Sequence, residues 1–237
     1  MTTTVVRVRR YDPQRDRHAR WASYTVERAP KMSVLDALFV ILEREEDPLA
    51  FRYSCRAGMC GSCAMRIDGR EALACRMRLA DLGARVSVEP LRSLPIVKDL
   101  LVDMAPFFSK YRAASPAFVA ADPSLATPPT QPMAVRPDAH LRDVVDQQID
   151  CISCGACYSA CPTVAQNPAY LGPAALNRAF ALAADVRDAA RSEHVRAATG
   201  DDGVYACRSV GNCATVCPAG VDPLLSIVLL RKRALDR

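Results

Sequence analysis

The chain has little of what a substrate pocket is built from. It holds one tryptophan, Trp21, and three histidines, His18, His140 and His194, which lie far apart in sequence. No glycine-rich phosphate loop follows a strand, and no nucleophile stands beside an orienting base, so nothing here reads as a site of bond-making chemistry. A run of about 18 apolar residues is missing, which argues against a membrane-spanning helix. The N-terminus lacks an apolar stretch followed by a small-residue cleavage site, so general secretory export is not expected. Charge of one sign is not in large excess, with 31 Lys and Arg against 26 Asp and Glu. The early arginines Arg7, Arg9, Arg10, Arg15, Arg17 and Arg20 alternate with Val5, Val6 and Val8 and are interrupted by Asp12 and Asp16. That pattern reads as the solvated face of an edge strand rather than a nucleic-acid footprint.

What the chain does have is cysteine. Its 237 residues, half of them hydrophobic, suit one or two folded domains. Eleven cysteines are an odd number, and a chain kept in a reducing compartment would not hold them as disulfides, so metal ligation is the better reading.

Residues 1–105 read as strands around one helix. VVRVRRY and RWASYTVERAP alternate as strands do, and Val34, Leu35, Leu38, Phe39, Ile41 and Leu42 fall at helical spacing behind a Ser33/Asp36 capping box. MRIDGREA is expected to be a hairpin turning at Gly69, with ACRMRL and ARVSVEPL as further strands. Such a mixed sheet on one helix is the β-grasp arrangement. IVKDLLVDMAPFFSKYRA looks helical until Pro106 interrupts it, and the proline-rich residues up to Ala139 are expected to link two domains, giving a linker over 106–139. From His140 the pattern turns helical, with a helix starting at Gly172-Pro173 and a break at Gly200–Gly203, so residues 140–237 are expected to form an all-helical domain. The fold class is therefore α+β. The three histidines read as surface or capping residues.

The cysteines fall into three groups. Cys55, Cys60, Cys63 and Cys75 have the C-x4-C-x2-C spacing, with a remote fourth member, of a plant-type ferredoxin [2Fe-2S] site. Gly58 and Gly61 allow the tight loop and free backbone N–H groups to face sulfur. Arg56, Arg76 and Arg78 flank that loop. Cys151, Cys154, Cys157 and Cys161, followed by Pro162, form the bacterial ferredoxin run C-x2-C-x2-C-x3-C-P, whose fourth cysteine serves the other cluster of a pair. CRSVGNCATVCP repeats this run with Val210 where Cys154 stood. Crossing the fourth cysteines assigns Cys151, Cys154, Cys157 and Cys217 to a [4Fe-4S] cluster. Cys161, Cys207 and Cys213 are left for the other, and three thiolates beside an apolar valine suit a [3Fe-4S] cluster. Two alternatives remain at this point: water or an external ligand holding a fourth iron, and structural zinc in the sites.

SCRAGMCGSCAMRIDG, CISCGACYSACP, NPAYLGPAAL and CRSVGNCATVCPAGVDP together resemble the iron-sulfur subunit of succinate dehydrogenase and fumarate reductase, the complex II family, in the same order and over nearly the whole chain. The resemblance implies an N-terminal plant-type [2Fe-2S] ferredoxin domain and a helical bacterial-type two-cluster domain. It implies a flavoprotein partner carrying FAD, a membrane anchor with or without haem b, and a quinone. Electrons would pass between flavin and quinone through the three clusters, in a peripheral subunit on the cytoplasmic face of the inner membrane. By the same resemblance Pro162, Val210 and Arg231 lie near the quinone. The sequence departs from ubiquinone-linked relatives, since Thr163, Val164, Ala165 and Gln166 follow Pro162 where a tryptophan is common, and Arg208 replaces a histidine. These departures point away from ubiquinone, toward a menaquinone-type or otherwise different acceptor. Another flavin-linked organic-acid dehydrogenase could use the same wire.

Overall fold

The computed structural model describes residues 2–44, 48–121 and 142–235. Two compact units emerge: residues 1–106 with the short segment Ile152–Ala160, and Phe107–Cys151 with Cys161–Arg237.

In the first unit, β1 (Thr3–Arg10) pairs antiparallel with β2 (Arg20–Glu27) and parallel with β5 (Arg85–Glu89). β3 (Ala64–Ile67) pairs antiparallel with both β5 and β4 (Arg70–Leu73), completing the order β2-β1-β5-β3-β4. β1 is thus an interior strand, not the edge expected from its arginines; β2 takes that edge. Alternation explains how an Arg-rich strand can sit inside a sheet: Val6 and Val8 face the core while Arg7 and Arg9 point away. On the open face, both guanidiniums lie over the Trp21 ring of β2, at 4.8 and 5.5 Å from its centroid.

The core face is covered by α1 (Val34–Arg44), which buries Val34, Leu35, Leu38 and Ile41 against Val6, Val86, Val88 and Met65. Each fully buried aliphatic side chain contributes about 1.5–3 kcal/mol. The capping box forms as expected. Ser33 N–H donates to Asp36 Oδ2 at 2.9 Å and Asp36 N–H donates to Ser33 Oγ at 3.1 Å. The β3–β4 hairpin turns on Asp68 and Gly69, both at positive φ.

Two expected elements are absent. ACRMRL makes no strand, because Ala74–Arg76 turn back after β4 and Leu79–Asp81 form a short 3-10 turn. IVKDLLVDMA is not helical. It forms the small hairpin of β6 (Ile96–Lys98) and β7 (Leu101–Val102), and Pro106 sits in the first turn of α2 (Ala105–Ala113) instead of interrupting a helix. The cause is Asp99, at φ 49° in the turn. Its carboxylate accepts from Arg10 Nε at 2.9 Å, Tyr11 N at 3.0 Å and Ala50 N at 3.0 Å, in a buried network that no helical pattern encodes.

The expected linker lies mostly outside the described residues; its described part, to Ala121, holds α2 and an extended stretch. In the second unit, α3 (Arg142–Ile149), α7 (Arg191–Ala198) and α9 (Pro223–Leu235) surround α6 (Pro173–Ala184), which is buried almost throughout. α6 starts at Gly172-Pro173 as expected. His194 departs from expectation. It is fully buried, with Nε2 3.1 Å from Asp188 Oδ2; His18 is exposed, and His140 lies outside the described residues.

Candidate iron-sulfur sites

The first cysteine group is presented by a loop and by the sheet. Cys63, at the entry to β3, is buried in the core, and Ala74 N–H donates to its carbonyl at 3.1 Å, which fixes where Cys75 follows. Cys55 and Cys60 ride on the loop. The Cys55 sulfur accepts from the N–H groups of Ala57 (3.4 Å), Met59 (3.3 Å) and Cys60 (3.3 Å), and Cys55 N–H donates to Cys60 Sγ at 3.5 Å. A ring of backbone donors closing on sulfur is what an anionic iron-sulfide-thiolate centre requires. The loop reaches this shape through left-handed residues, Arg56, Gly58 and Gly61. A Cβ on Gly61 would stand 2.6 Å from Cys154 Cβ, so this glycine is what lets the first loop lie against the second cysteine run. Arg56 is not merely solvated: its guanidinium lies 4.3 Å from the Phe39 ring centroid and braces the loop on α1.

The thiols differ in acidity before any metal binds. Hydrogen bonds from the Ser62 side chain, then from the Cys55 and Ser62 backbones, pull Cys60 down to about 6. Burial pushes Cys63 and Cys213 up to about 12. All eleven cysteines are free of disulfides.

The two later runs share one backbone design. In Cys151–Cys157, Ser153 and Gly155 have φ of 53° and 80°; in Cys207–Cys213, Ser209 and Gly211 have φ of 57° and 86°. Each glycine precedes a four-residue helix, α4 (Ala156–Ser159) or α8 (Asn212–Thr215). Val210 therefore occupies the loop position of Cys154. In the first unit, Ile152 and Cys154 pack on the sheet core, and α4 is held there by Ser159, whose Oγ donates to Glu71 Oε1 (2.9 Å) and accepts from Arg92 N–H (2.8 Å).

In the second unit Cys161, Cys207 and Cys213 line one pocket, together with Pro162, Val210 and Tyr170. Cys161 is the N-cap residue of α5 (Pro162–Gln166), with Pro162 at the helix's first position. Val210 is 58 % exposed at the rim. Arg208 lines the same cavity. Arg231 does not; its guanidinium donates to the carbonyls of Val204 (2.7 Å) and Cys207 and to Ser209 Oγ (3.2 Å), clamping the loop that carries Cys207. Tyr170, which sequence reasoning passed over, is 1 % exposed with its hydroxyl unpartnered at hydrogen-bonding geometry, although it faces Cys207. Burial first, and then the neighbouring Cys207, Cys161 and Cys213, push its phenol upward. Nothing in the spacing of a lone tyrosine announces this.

A zinc site draws four ligands onto one ion, about 2.3 Å from each sulfur, whereas a multi-iron cluster keeps its thiolates on separate irons. Among the described residues, no three His, Cys, Asp or Glu side chains converge on a single point in the first manner. The amide ring at Cys55 and the thiol-lined cavity fit the second.

Comparison with known proteins agrees with this reading. A family model for a 2Fe-2S iron-sulfur cluster binding domain matches residues 5–109, and one for a 4Fe-4S dicluster domain matches residues 147–221. The chain is 38 % identical over 224 residues to the fumarate reductase iron-sulfur subunit of Mycobacterium tuberculosis, covering 94 % of this chain and 89 % of that protein. It is 34 % identical to the succinate dehydrogenase iron-sulfur subunit of Paracoccus denitrificans, covering 96 % and 86 %. A chain of the Mycobacterium smegmatis Sdh1 complex in the apo form superposes with a TM-score of 0.86 at 26 % identity, covering 99 % of this chain and 96 % of that one.

Proposed function

The chain belongs to the iron-sulfur subunits of the succinate dehydrogenase and fumarate reductase family, and we propose that it conducts electrons between a flavin, where succinate and fumarate interconvert, and a quinone. The observation that carries this reading is the set of three cysteine groups in one chain, the last with valine at the repeat's second ligand position. The clusters, when bound, supply one-electron carriers. The protein's part is to hold them: Cys55, Cys60, Cys63 and Cys75 take a [2Fe-2S] cluster, Cys151, Cys154, Cys157 and Cys217 a [4Fe-4S] cluster, and Cys161, Cys207 and Cys213 a [3Fe-4S] cluster. The amide ring at Cys55 stabilises added negative charge there, and burial of Cys63 and Cys213 keeps water from the inner faces of their centres.

The partners are an FAD-carrying flavoprotein and a membrane anchor, which places the subunit peripherally at the cytoplasmic face. No helix among the described residues is long and apolar enough to cross a membrane. Pro162 and Val210, on the rim of the third cavity, take the quinone end, and Arg231 supports it by holding the Cys207 loop. Thr163 and Arg208, which line the same cavity, favour a menaquinone-type acceptor over ubiquinone.

The test is low-temperature EPR of the intact complex during a redox titration. An oxidised [3Fe-4S] signal is expected beside one [2Fe-2S] and one [4Fe-4S] signal. Val210→Cys should convert the third centre toward four irons and lower its potential. Two [4Fe-4S] signals in the unmodified complex, or a colourless zinc protein without sulfide, would overturn the assignment.

A further inference from the structure

The third cavity contains a buried donor, the Tyr170 hydroxyl, which makes no well-formed hydrogen bond among the described residues and has the Cys207 thiol beside it. Tyr170 sits in a turn held on both sides: Asn167 N–H donates to Thr163 O at 2.8 Å, Asn167 Nδ2 to Asp202 Oδ1 at 3.1 Å, and Leu171 N–H to Asp202 O at 2.8 Å. Gly172, at φ 88°, then starts α6. The ring is 1 % exposed, and among the described residues its hydroxyl has no partner at hydrogen-bonding geometry. Leaving a buried hydroxyl without a well-formed hydrogen bond is costly, so such a group points to a ligand that completes it. The cavity is lined by apolar Pro173, Leu224 and Ile227, by polar Thr163, Arg208, Ser209 and Asn212, and by three thiols; among the described residues none of these polar groups is a hydrogen-bond partner of the Tyr170 hydroxyl. A phenol is a donor, and the sulfurs of an assembled cluster are anionic acceptors.

We propose that the Tyr170 hydroxyl donates a hydrogen bond to a sulfur of the cluster held by Cys161, Cys207 and Cys213, and thereby raises the reduction potential of that centre. The inference rests on the three-iron reading above. Its sign follows from charge: reduction adds one electron, the reduced cluster is the stronger acceptor, and the donor stabilises it more than the oxidised form. Tyr170 is a positioning and tuning residue that ligates no iron.

The experiment is Tyr170→Phe in the intact complex, followed by EPR redox titration. The ring and its packing are kept, so the three-iron signal should persist at full intensity. Its reduction equilibrium should shift about tenfold toward the oxidised form, a fall of about 59 mV for one electron, with the other two centres unchanged. In the unmodified complex, proton ENDOR on the three-iron signal should show an exchangeable coupling that D2O and Tyr170→Phe both remove. If the signal is intact and its potential and proton coupling are unmoved, the proposal is overturned and the cluster assignment stands. If the unmodified complex gives no three-iron signal, both are overturned. Should the variant lose the cluster, 3-fluorotyrosine at position 170, a stronger donor, decides: a raised potential supports the proposal and an unchanged one refutes it.

Discussion

Gly61 carries no side chain because none would fit. At φ 71° it is already in the region that side chains avoid, and a Cβ there would meet Cys154 Cβ at 2.6 Å and its Cα at 3.0 Å. Gly61→Ala is therefore expected to displace Cys154, with a strain of about 1–3 kcal/mol, and to lower iron and sulfide content measured chemically. Gly69→Ala is the control. It has a similar φ but only Arg66 Nη2 nearby, at 3.7 Å, so it should cost about 1 kcal/mol and leave the clusters whole. Thiol acidity gives a second residue-level outcome. With Cys60 lowered to about 6 and Cys63 raised to about 12, iron-free protein at pH 7 should hold Cys60 mainly as thiolate and Cys63 mainly as thiol. Iodoacetamide labelling read by mass spectrometry should modify Cys60 first, and its rate should fall as pH drops through about 6.

At the scale of elements, helix starts carry much of the local specification. α1 begins with a reciprocal Ser33/Asp36 cap, and Ser33→Ala should lower unfolding free energy by about 0.5–2 kcal/mol, checked by denaturant titration. The clusters should stay intact, because the contacts that join this helix start to the turn carrying Cys75, the Ser33–Arg78 bridge and the Val34 and Leu35 N–H bonds to Met77 and Ala74 carbonyls, are backbone contacts that the substitution leaves in place. The β6–β7 hairpin shows the opposite case. Its residues have a helix-like apolar pattern, yet Asp99 is held in the turn by Arg10, Tyr11 and Ala50, groups some 50 to 90 residues away. A buried, fully hydrogen-bonded carboxylate outweighs the few tenths of a kcal/mol per residue that separate local propensities. The paired runs after Cys151 and Cys207 lie between these extremes. Their four-residue helices are too short to stand alone, and it is the left-handed serine and glycine in each that aim the thiols.

For the whole molecule, the chain conducts electrons and leaves substrate chemistry to a partner. Cys63, Cys157 and Cys213 are themselves buried, so under the proposed ligation the core would be shared with the clusters. Thiolate ligation then contributes directly to folding. Removing iron anaerobically with a chelator should lower the unfolding temperature by more than about 12 °C, more than any single substitution above, whose cost of up to about 3 kcal/mol corresponds to at most about 12 °C at about 2–4 °C per kcal/mol. Calorimetry before and after reconstitution with iron and sulfide checks this.

Spacing alone determined the three cysteine groups, the x4-x2 and x2-x2-x3 grids, and the substitution of Val210 into one of them, because cluster geometry limits how much chain can lie between ligands. The same is true of the capping box, the Asp68-Gly69 hairpin and the Gly172-Pro173 helix start, which are local in sequence. Tertiary structure decided what depends on distant partners. It put β1 inside the sheet by pairing it with β5, turned 96–102 into a hairpin through Asp99, buried His194 beside Asp188, and committed Arg231 to the Cys207 loop. It also placed the Tyr170 hydroxyl among three thiols from separate segments, since a hydroxyl gains a role only when the fold removes its water and supplies an acceptor.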